Sequence, residues 1–152
     1  MMIPQKEMNN IPVNWQLNAR HDIINGSEER LKQLFVNILL NAIDAINEDE
    51  KDKDFRGLFI ITQNRELNGT VMIVAEIRDT GKGIMAEELP YIFEPFFTTK
   101  EPGKGTGLGL SVCRRIVEMM GGDIDVSSIP GEGTSVKVII PISSSPENSK
   151  NQ

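Results

Sequence analysis

Val13, Trp15 and Leu17 alternate with polar side chains near the start of the chain. This period of two predicts a half-buried strand in which Trp15 packs against the core. Ser27 then stands where it can cap a helix over residues 28–47, because the apolar positions that follow recur at helical spacing.

The remaining pattern predicts a charged loop, four further strands and two more helices. The loop covers residues 48–54 and is solvated, and two strands follow at 58–67 and 71–79, joined by an Asn68-Gly69 turn. A short helix is predicted at 86–91, and a longer one begins at 107 or 108 and ends at Gly121-Gly122. The last two strands are predicted at 123–128 and 134–140. Since the strands come in pairs joined by turns, we predict an α/β two-layer sandwich. Its sheet is mixed and mostly antiparallel, with helices on one face.

Composition is that of a soluble globular chain of about one domain. Of its 152 residues 39% are hydrophobic, and no apolar run approaches the roughly 20 residues of a membrane span. A single cysteine, Cys113, excludes an internal disulfide and indicates a reducing, cytoplasmic location. The net charge of -6 argues against a general nucleic-acid surface but not against an anionic ligand. We expect residues 1–10 to be added or linker sequence, 11–142 to form the domain and 143–152 to be a disordered tail.

A carboxylate is predicted at the buried end of the strand 71–79. Asp79 shares one strand face with four apolar side chains, because strand side chains alternate. A buried carboxylate needs a polar partner. Asp79 either caps its own glycine turn or meets a ligand group, and the pattern alone leaves both open.

The first long helix carries two asparagines one turn apart, Asn37 and Asn41, beside its apolar stripe. Asparagine is a mediocre helix former, so amides in this place suggest a polar partner such as a metal ion or phosphate oxygens. Hydrogen bonding to neighbouring backbone explains either residue equally well.

Two glycine clusters could bring backbone N–H groups close to a phosphate. The clusters are Gly81 with Gly83, and Gly103, Gly105, Gly107 and Gly109 before the last helix. Neither is a Walker A loop, because glycine rather than serine or threonine follows the lysine in each. The dinucleotide fingerprint also fails, since Leu108 stands where its third glycine would be.

These features follow one another in a set order. The segments are Asn37-Ile-Leu-Leu-Asn41-Ala42, Asp79-Thr-Gly-Lys-Gly83-Ile84, Phe93-Glu-Pro-Phe96-Phe97, Gly105-Thr-Gly107-Leu-Gly109-Leu110 and Gly131-Glu-Gly133-Thr134. The set closely resembles the N, G1, F, G2 and G3 boxes of histidine kinases, in the superfamily that also holds gyrase, heat-shock chaperone and mismatch-repair ATPases. The resemblance covers residues 27–140 and implies a Bergerat-type ATP-binding fold.

The resemblance implies ATP and Mg²⁺ as ligands and gives each matching residue a role. Asn41 would coordinate Mg²⁺, Asn37 would contact phosphate or a metal-bound water, and Asp79 would accept a hydrogen bond from the adenine amino group. The resemblance also places Gly81, Gly83 and Ile84 against the adenine and Thr134 at its edge. It implies an ATP lid over residues 94–106, anchored by Phe93 and Phe96, whose contacts are Thr99, Lys100, Lys104 and Thr106. The phosphates would be bound by the N–H groups of Gly105, Gly107, Leu108 and Gly109. Lys100 and Lys104 are placed to meet the γ-phosphate, although a solvated lysine is an equal alternative for each.

Asn37 separates phosphoryl transfer from hydrolysis. By the same resemblance, the ATPase branches carry a glutamate there as the base for water, whereas an amide cannot take a proton. This implies transfer of the γ-phosphoryl group to a histidine on a separate dimerisation hairpin, with a response regulator downstream, in two-component signalling. An ATP-hydrolysing clamp or chaperone-like member and a serine-kinase regulator of the superfamily are the alternatives.

The phosphoacceptor histidine is predicted to lie outside this chain. His21, the only histidine, lacks the helical His-Glu or His-Asp context with a following proline, so a structural or exposed role is favoured. Asp44 departs from the resemblance, because many histidine kinases carry a basic residue there. We expect the isolated domain to be a monomer and the full-length protein to be a homodimer, with or without an inner-membrane anchor.

Overall fold

A computed structural model describes residues 10–97 and 109–143. Within these ranges the chain forms a five-stranded sheet with two α-helices packed on one face, which confirms the predicted two-layer α/β fold. In chain order the elements are β1 (Val13–Leu17), α1 (Glu28–Glu48), β2 (Leu58–Leu67), β3 (Thr70–Asp79), a 3₁₀ turn (Leu89–Tyr91), α2 (Gly109–Met119), β4 (Asp123–Ile129) and β5 (Gly133–Pro141). The predicted linker and tail lie almost entirely outside the described residues.

The sheet is mixed, with the strand order β1-β2-β3-β5-β4. β1 runs parallel to β2, and the β2–β3, β3–β5 and β4–β5 pairs are antiparallel. The predicted hairpin turn between β2 and β3 is confirmed, because Asn68 and Gly69 both have positive φ, 51° and 80°. The register sets Asp79 opposite Leu58 on one side and Thr134 on the other. The end of β3 is therefore enclosed between two strands.

Helix α1 begins and ends close to its predicted limits. The Ser27 hydroxyl accepts a hydrogen bond from the Arg30 N–H at 3.3 Å, which supplies the predicted N-cap. α1 then buries an apolar face against the sheet and α2, with Leu34 and Ile43 both 0% exposed. α2 ends as predicted at Gly121-Gly122, where the Gly122 N–H donates to the Val117 carbonyl at 3.0 Å.

Strand β1 forms as predicted, but the predicted packing of its side chains is wrong. Val13 contacts the core, whereas Trp15 and Leu17 are each 63% exposed. β1 is the edge strand of the sheet, and both helices lie over the other strands, so the far end of β1 has no layer above it.

The short helix predicted at residues 86–91 is reduced to the 3₁₀ turn Leu89–Tyr91. Pro90 lies within this turn and has no N–H to donate, which limits a longer helical hydrogen-bond series. The predicted start of the last helix falls outside the described residues, whose second range begins at Gly109.

Truncation should cost far more stability in the core than on β1. We expect Leu34→Ala to lower the free energy of unfolding by about 2–5 kcal/mol, because Leu34 is 0% exposed between α1 and α2. Leu17→Ala, the matched change at a 63% exposed leucine, should cost less than about 1 kcal/mol. Urea unfolding followed by circular dichroism measures both, and equal losses would show that Leu17 is a core residue.

Candidate functional site

The Asp79 side chain lies at the end of β3 and is 6% exposed, which confirms the predicted burial. Its Oδ1 accepts a hydrogen bond from the Gly81 N–H at 2.8 Å. The capping interpretation is therefore correct for this oxygen. The backbone of Thr134, on the paired strand β5, gives the carboxylate a second hydrogen bond.

Burial raises the pKa of Asp79 to about 6 from its ordinary value of 3.8. The two backbone hydrogen bonds and the nearby Lys53 ammonium lower this pKa, but the loss of solvent outweighs them. The pKa of the carboxyl therefore lies near neutrality, and its negative charge is poorly solvated. A ligand that donates a hydrogen bond into this place would relieve that cost.

The turn that follows Asp79 is tied to α1 and to the β4–β5 turn. The Lys82 N–H donates to the Ala45 carbonyl at 3.1 Å, and the Lys82 carbonyl accepts from the Gly131 N–H at 2.7 Å. A Cβ on Gly81 would lie 2.5 Å from the carbonyl carbon of Ala45, so only glycine lets the turn touch the helix. Gly83 has a φ of 74°, and a Cβ there would collide with the backbone next to Pro130. Both predicted glycines are thus required for packing, whatever they contact in a ligand.

Ser128 is a site residue that the sequence interpretation missed. Its hydroxyl accepts a hydrogen bond from the Ile84 N–H at 2.8 Å and lies 2.8 Å from the Thr134 hydroxyl. The Asp79 turn and the 8% exposed Thr134 are thereby joined through one side chain. The alternation of side chains along β4 could have identified Ser128, because it follows Ile124 and Val126 on the core face of that strand.

The two asparagines of α1 both face α2. The Asn41 amide nitrogen lies 3.8 Å from the position of a Cβ on Gly109, the first residue of α2. Asn37, one turn earlier, lies next to Cys113 and lowers the pKa of its thiol, which donates to the Leu34 carbonyl at 3.7 Å. Burial raises the pKa of Cys113 to about 12, so this group is a neutral thiol at neutral pH. Neither explanation offered for the asparagines foresaw this contact with a side chain of α2.

One face of α1 joins the two parts of the site. Ala45 touches Gly81 of the Asp79 turn, and Asn41 lies one helical turn before Ala45. Four residues of α-helix rise by about 6 Å, which is the distance along α1 between Asn41 and the point where the Asp79 turn contacts the helix. Such a row suits an elongated ligand with a hydrogen-bonding end and an anionic end.

The predicted anchors of the lid behave differently from each other. Phe93 is partly buried against the core, with the Arg114 guanidinium 3.7 Å above its ring. Phe96 is 76% exposed, and its role as an anchor of the lid stays a prediction because most of the lid lies outside the described residues. Its φ of 69° lies in a region that bulky residues rarely occupy.

Several predicted site residues lie outside the described residues. They are Thr99, Lys100, Lys104, Gly105, Thr106, Gly107 and Leu108. Their roles stay predictions.

The described part of the site could bind a metal ion through neutral oxygen ligands. Residues 10–97 and 109–143 hold no group of three His, Cys, Asp or Glu side chains able to bind one. The Asn41 side chain, whose amide nitrogen lies near Gly109, also carries an oxygen of the kind that suits a hard cation taking most of its ligands from phosphates and water.

The predicted solvated loop over residues 48–54 is mostly exposed, but Asp49 and Lys53 depart from the prediction. Asp49 is 8% exposed and its Oδ2 lies 2.6 Å from the Lys53 ammonium, so this charge pair is mostly removed from water. The pKa of Asp49 is held below its ordinary range by the hydrogen bond from Lys53. Composition alone did not single out these two residues, whose charges pair with each other and, for Lys53, with backbone carbonyls of the Asp79 turn.

His21 is exposed, as favoured from the sequence, and its backbone N–H and carbonyl both bond the Asn64 side chain. Among the described residues, no helix is long and apolar enough to cross a membrane.

Comparison with known proteins gives consistent matches. Residues 26–144 match the family described as histidine kinase-, DNA gyrase B-, and HSP90-like ATPase. The chain is 41% identical over 123 residues to the sensor kinase CckA of Brucella abortus, covering 74% of this chain and 12% of that protein. It is 36% identical over 122 residues to sporulation kinase C of Bacillus subtilis, covering 80% of this chain and 26% of that protein. The chain thus spans only a small part of the curated relatives that it matches.

Solved structures share the fold. The catalytic domain of histidine kinase ThkA superposes with a TM-score of 0.67 at 27% identity, covering 90% of this chain and 85% of that one. Full-length ShkA in complex with AMPPNP gives a TM-score of 0.69 at 24% identity, covering 93% of this chain and 27% of that one.

The buried carboxylate should make stability depend on pH. Because the pKa of Asp79 is about 6 in the folded chain and near 3.8 when unfolded, its stabilising contribution is complete below about pH 4 and is lost as the pH rises through 6. The full effect corresponds to at most roughly 3 kcal/mol. In Asp79→Asn this decline should be absent.

Denaturant unfolding at several pH values between 4 and 7.5 measures the effect, with Asp125→Asn, an exposed aspartate on β4, as the matched control. Parallel pH profiles for wild type and Asp79→Asn would contradict the assignment.

Proposed function

The chain belongs to the histidine kinase-, DNA gyrase B-, and HSP90-like ATPase family, and from that membership we propose that it holds Mg-ATP and donates the γ-phosphoryl group to a histidine on a separate dimerisation domain. It is then the ATP-binding catalytic domain of a sensor histidine kinase, as its relatives' names indicate. One observation carries the proposal. A buried carboxylate and a pair of amides lie along the same face of α1, with the start of α2 opposite.

Asp79 is proposed to bind the adenine. Its carboxylate would accept a hydrogen bond from the exocyclic amino group, which is the neutral donor that a poorly solvated carboxylate favours. Gly83 and Ile84 would lie against the ring in the turn that Ser128 holds, and Thr134 would act at the ring edge through water. A guanine carries a carbonyl oxygen instead of that amino group, so it would meet the carboxylate with an acceptor.

Asn41 and the start of α2 are proposed to bind the phosphates and Mg²⁺. The Asn41 amide oxygen would be one ligand of the ion, which would neutralise phosphate charge. Gly109, the first described residue of α2, lies beside Asn41, so N–H groups at this end of the helix would add hydrogen bonds to phosphate oxygens. Gly109 is the described end of this segment, and the lid residues named above would complete it.

The position of Asn37 does not supply a base for water. Asn37 presents an amide, which cannot take a proton, and its neighbour Cys113 is a thiol with a pKa of about 12. The Asn37 amide oxygen would accept a hydrogen bond from a metal-bound water. This supports phosphoryl transfer in preference to hydrolysis, because transfer depends on positioning and charge neutralisation.

The acceptor is proposed to be a helical hairpin of the same kinase, with a response regulator after it. The relatives are several times longer than this chain, which spans 12% of one and 26% of another. The exposed Phe96 and the neighbouring pair of Tyr91 and Phe97 rings offer the hairpin an apolar contact.

Radioactive transfer tests the proposal. The chain, mixed with γ-labelled Mg-ATP and a separately supplied dimerisation hairpin, should label the hairpin slowly with phosphate that is stable to alkali and lost in acid, as phosphohistidine is. A hairpin with its histidine changed to glutamine is the control. Failure of the chain to bind Mg-ATP, or rapid ATP hydrolysis without transfer, would contradict the proposal, and acid-stable label would indicate a serine kinase.

Asn41→Ala should weaken Mg-ATP binding at least about tenfold, because it removes the proposed metal ligand. The matched control is Asn47→Ala, an exposed asparagine near the end of the same helix. Calorimetric titration with Mg-ATP and with ATP in EDTA measures both. Equal effects of the two variants, or a loss at Asn41 that is independent of Mg²⁺, would refute the metal role.

A further inference from the structure

The loop between α1 and β2, residues 49–57, holds the Asp79 turn from the side opposite to Ser128. The Gly57 N–H donates to the Thr80 hydroxyl at 2.9 Å, and the Thr80 N–H donates to the Gly57 carbonyl at 3.2 Å. The loop is itself fastened to α1, where the Arg56 guanidinium donates to the Ile46 carbonyl. The loop is thus a rigid support next to the proposed adenine site.

At the centre of this support is the ammonium group of Lys53. It donates to the Thr80 carbonyl at 2.6 Å and to the Gly81 carbonyl at 2.9 Å, and it lies 2.6 Å from Asp49 Oδ2. The ammonium thus bonds two backbone carbonyls of the turn and forms an ion pair with one carboxylate. The Lys53 side chain is only 16% exposed and that of Asp49 only 5%, which makes this contact unlike a surface ion pair.

We infer that Lys53 is a positioning residue for base recognition, because it fixes the two carbonyls between the Asp79 carboxylate and Gly83. The inference rests on the proposed function. Thr80 and Gly81 are the residues whose backbone sets the direction of the Asp79 side chain, since Gly81 donates to its Oδ1. With their carbonyls held by a cation, the Gly81 N–H stays directed at the carboxylate. The same cation, placed beside the turn, supports the ionised form of Asp79 that accepts from the adenine.

The electrostatic surroundings agree with this role. Lys53 is the cation that lowers the pKa of Asp79, against the larger effect of burial. Asp49 is the anion that pairs with Lys53, and Arg56 acts on Asp49. The other ion pair at this turn, Lys82 with Glu48, has side chains 38% and 42% exposed and is therefore screened by water.

A structural role alone makes a different prediction from positioning. If Lys53 only compensated the buried Asp49, its loss would lower stability and leave base recognition intact. If it positions the turn, its loss weakens nucleotide binding in the folded protein and moves the pH dependence of that binding upward, because Asp79 then ionises at higher pH. The pH dependence of binding therefore separates the two.

The test is calorimetric titration of the whole chain with Mg-ATP between pH 5.5 and 8, with thermal unfolding followed in parallel. Lys53→Met should bind Mg-ATP about tenfold more weakly at pH 7, the loss expected for one hydrogen bond to a charged group. Its binding midpoint should lie at higher pH than that of wild type. Titration of the ATP phosphates is common to both proteins and cancels in this difference.

Three further variants complete the test. Asp49→Asn combined with Lys53→Met leaves no unpaired buried charge, so it keeps the test valid if the single variant fails to fold, and it too should bind about tenfold more weakly. Lys53→Arg, which keeps a donor cation, should retain more affinity than Lys53→Met. Lys82→Met removes a charge from the same turn without removing a bond to Thr80 or Gly81, and it should bind within about twofold of wild type.

The outcomes are distinct. Equal losses in Lys53→Met and Lys82→Met would overturn the inference in favour of a general charge effect. So would unchanged affinity and an unchanged midpoint in folded Lys53→Met or in the double variant. A wild-type chain that does not bind Mg-ATP would overturn the proposed function itself.

Discussion

Burial of the Asp79 carboxylate is the constraint on which the rest of the site depends. Strand β3 is apolar on its core face and ends with an acid that is 6% exposed, so the chain must hold a charge where water is nearly absent. Two backbone hydrogen bonds and a nearby ammonium reduce the cost without removing it, and the pKa of the carboxyl remains near 6. A group in this condition gains from a donor that only a ligand brings. The destabilised carboxylate of the free protein is therefore the origin of the proposed recognition of the base.

The surrounding elements are arranged to keep that carboxylate in one place. α1 touches the turn through Ala45, the β4–β5 turn touches it through Gly131, and the loop after α1 holds it through Lys53. α1 also carries Asn41 one turn away, facing the start of α2. The proposed sites for the base and for the phosphates are thus both built on one helix, which fixes the distance between them before a nucleotide arrives. Such preorganisation lowers the entropy lost on binding.

The sequence was sufficient to predict those features that a local pattern of residues determines. Alternation along β3 predicted a buried Asp79, the Asn68-Gly69 pair predicted its hairpin, and Ser27 predicted the start of α1. The order of the motifs predicted the family, which the matches confirm.

The predictions from the sequence are wrong at residues whose environment depends on contacts with distant segments of the chain. Trp15 alternates like a core residue, but the helices do not extend over the edge strand. The charged run after α1 has the composition of a solvated loop, yet Lys53 and Asp49 are packed because backbone carbonyls 27 and 28 residues away face the ammonium. The contact of Asn37 with Cys113 exists only because α1 and α2 pack together.

The most direct measurement of the central claim is the pKa of the Asp79 carboxyl by carbon-detected NMR, in the free chain and with ATP bound. The account predicts a value near 6 in the free chain and a clear decrease on binding, because the adenine amino group stabilises the ionised form; an ordinary value near 3.8, or a pKa that ATP leaves unchanged or raises, would contradict it.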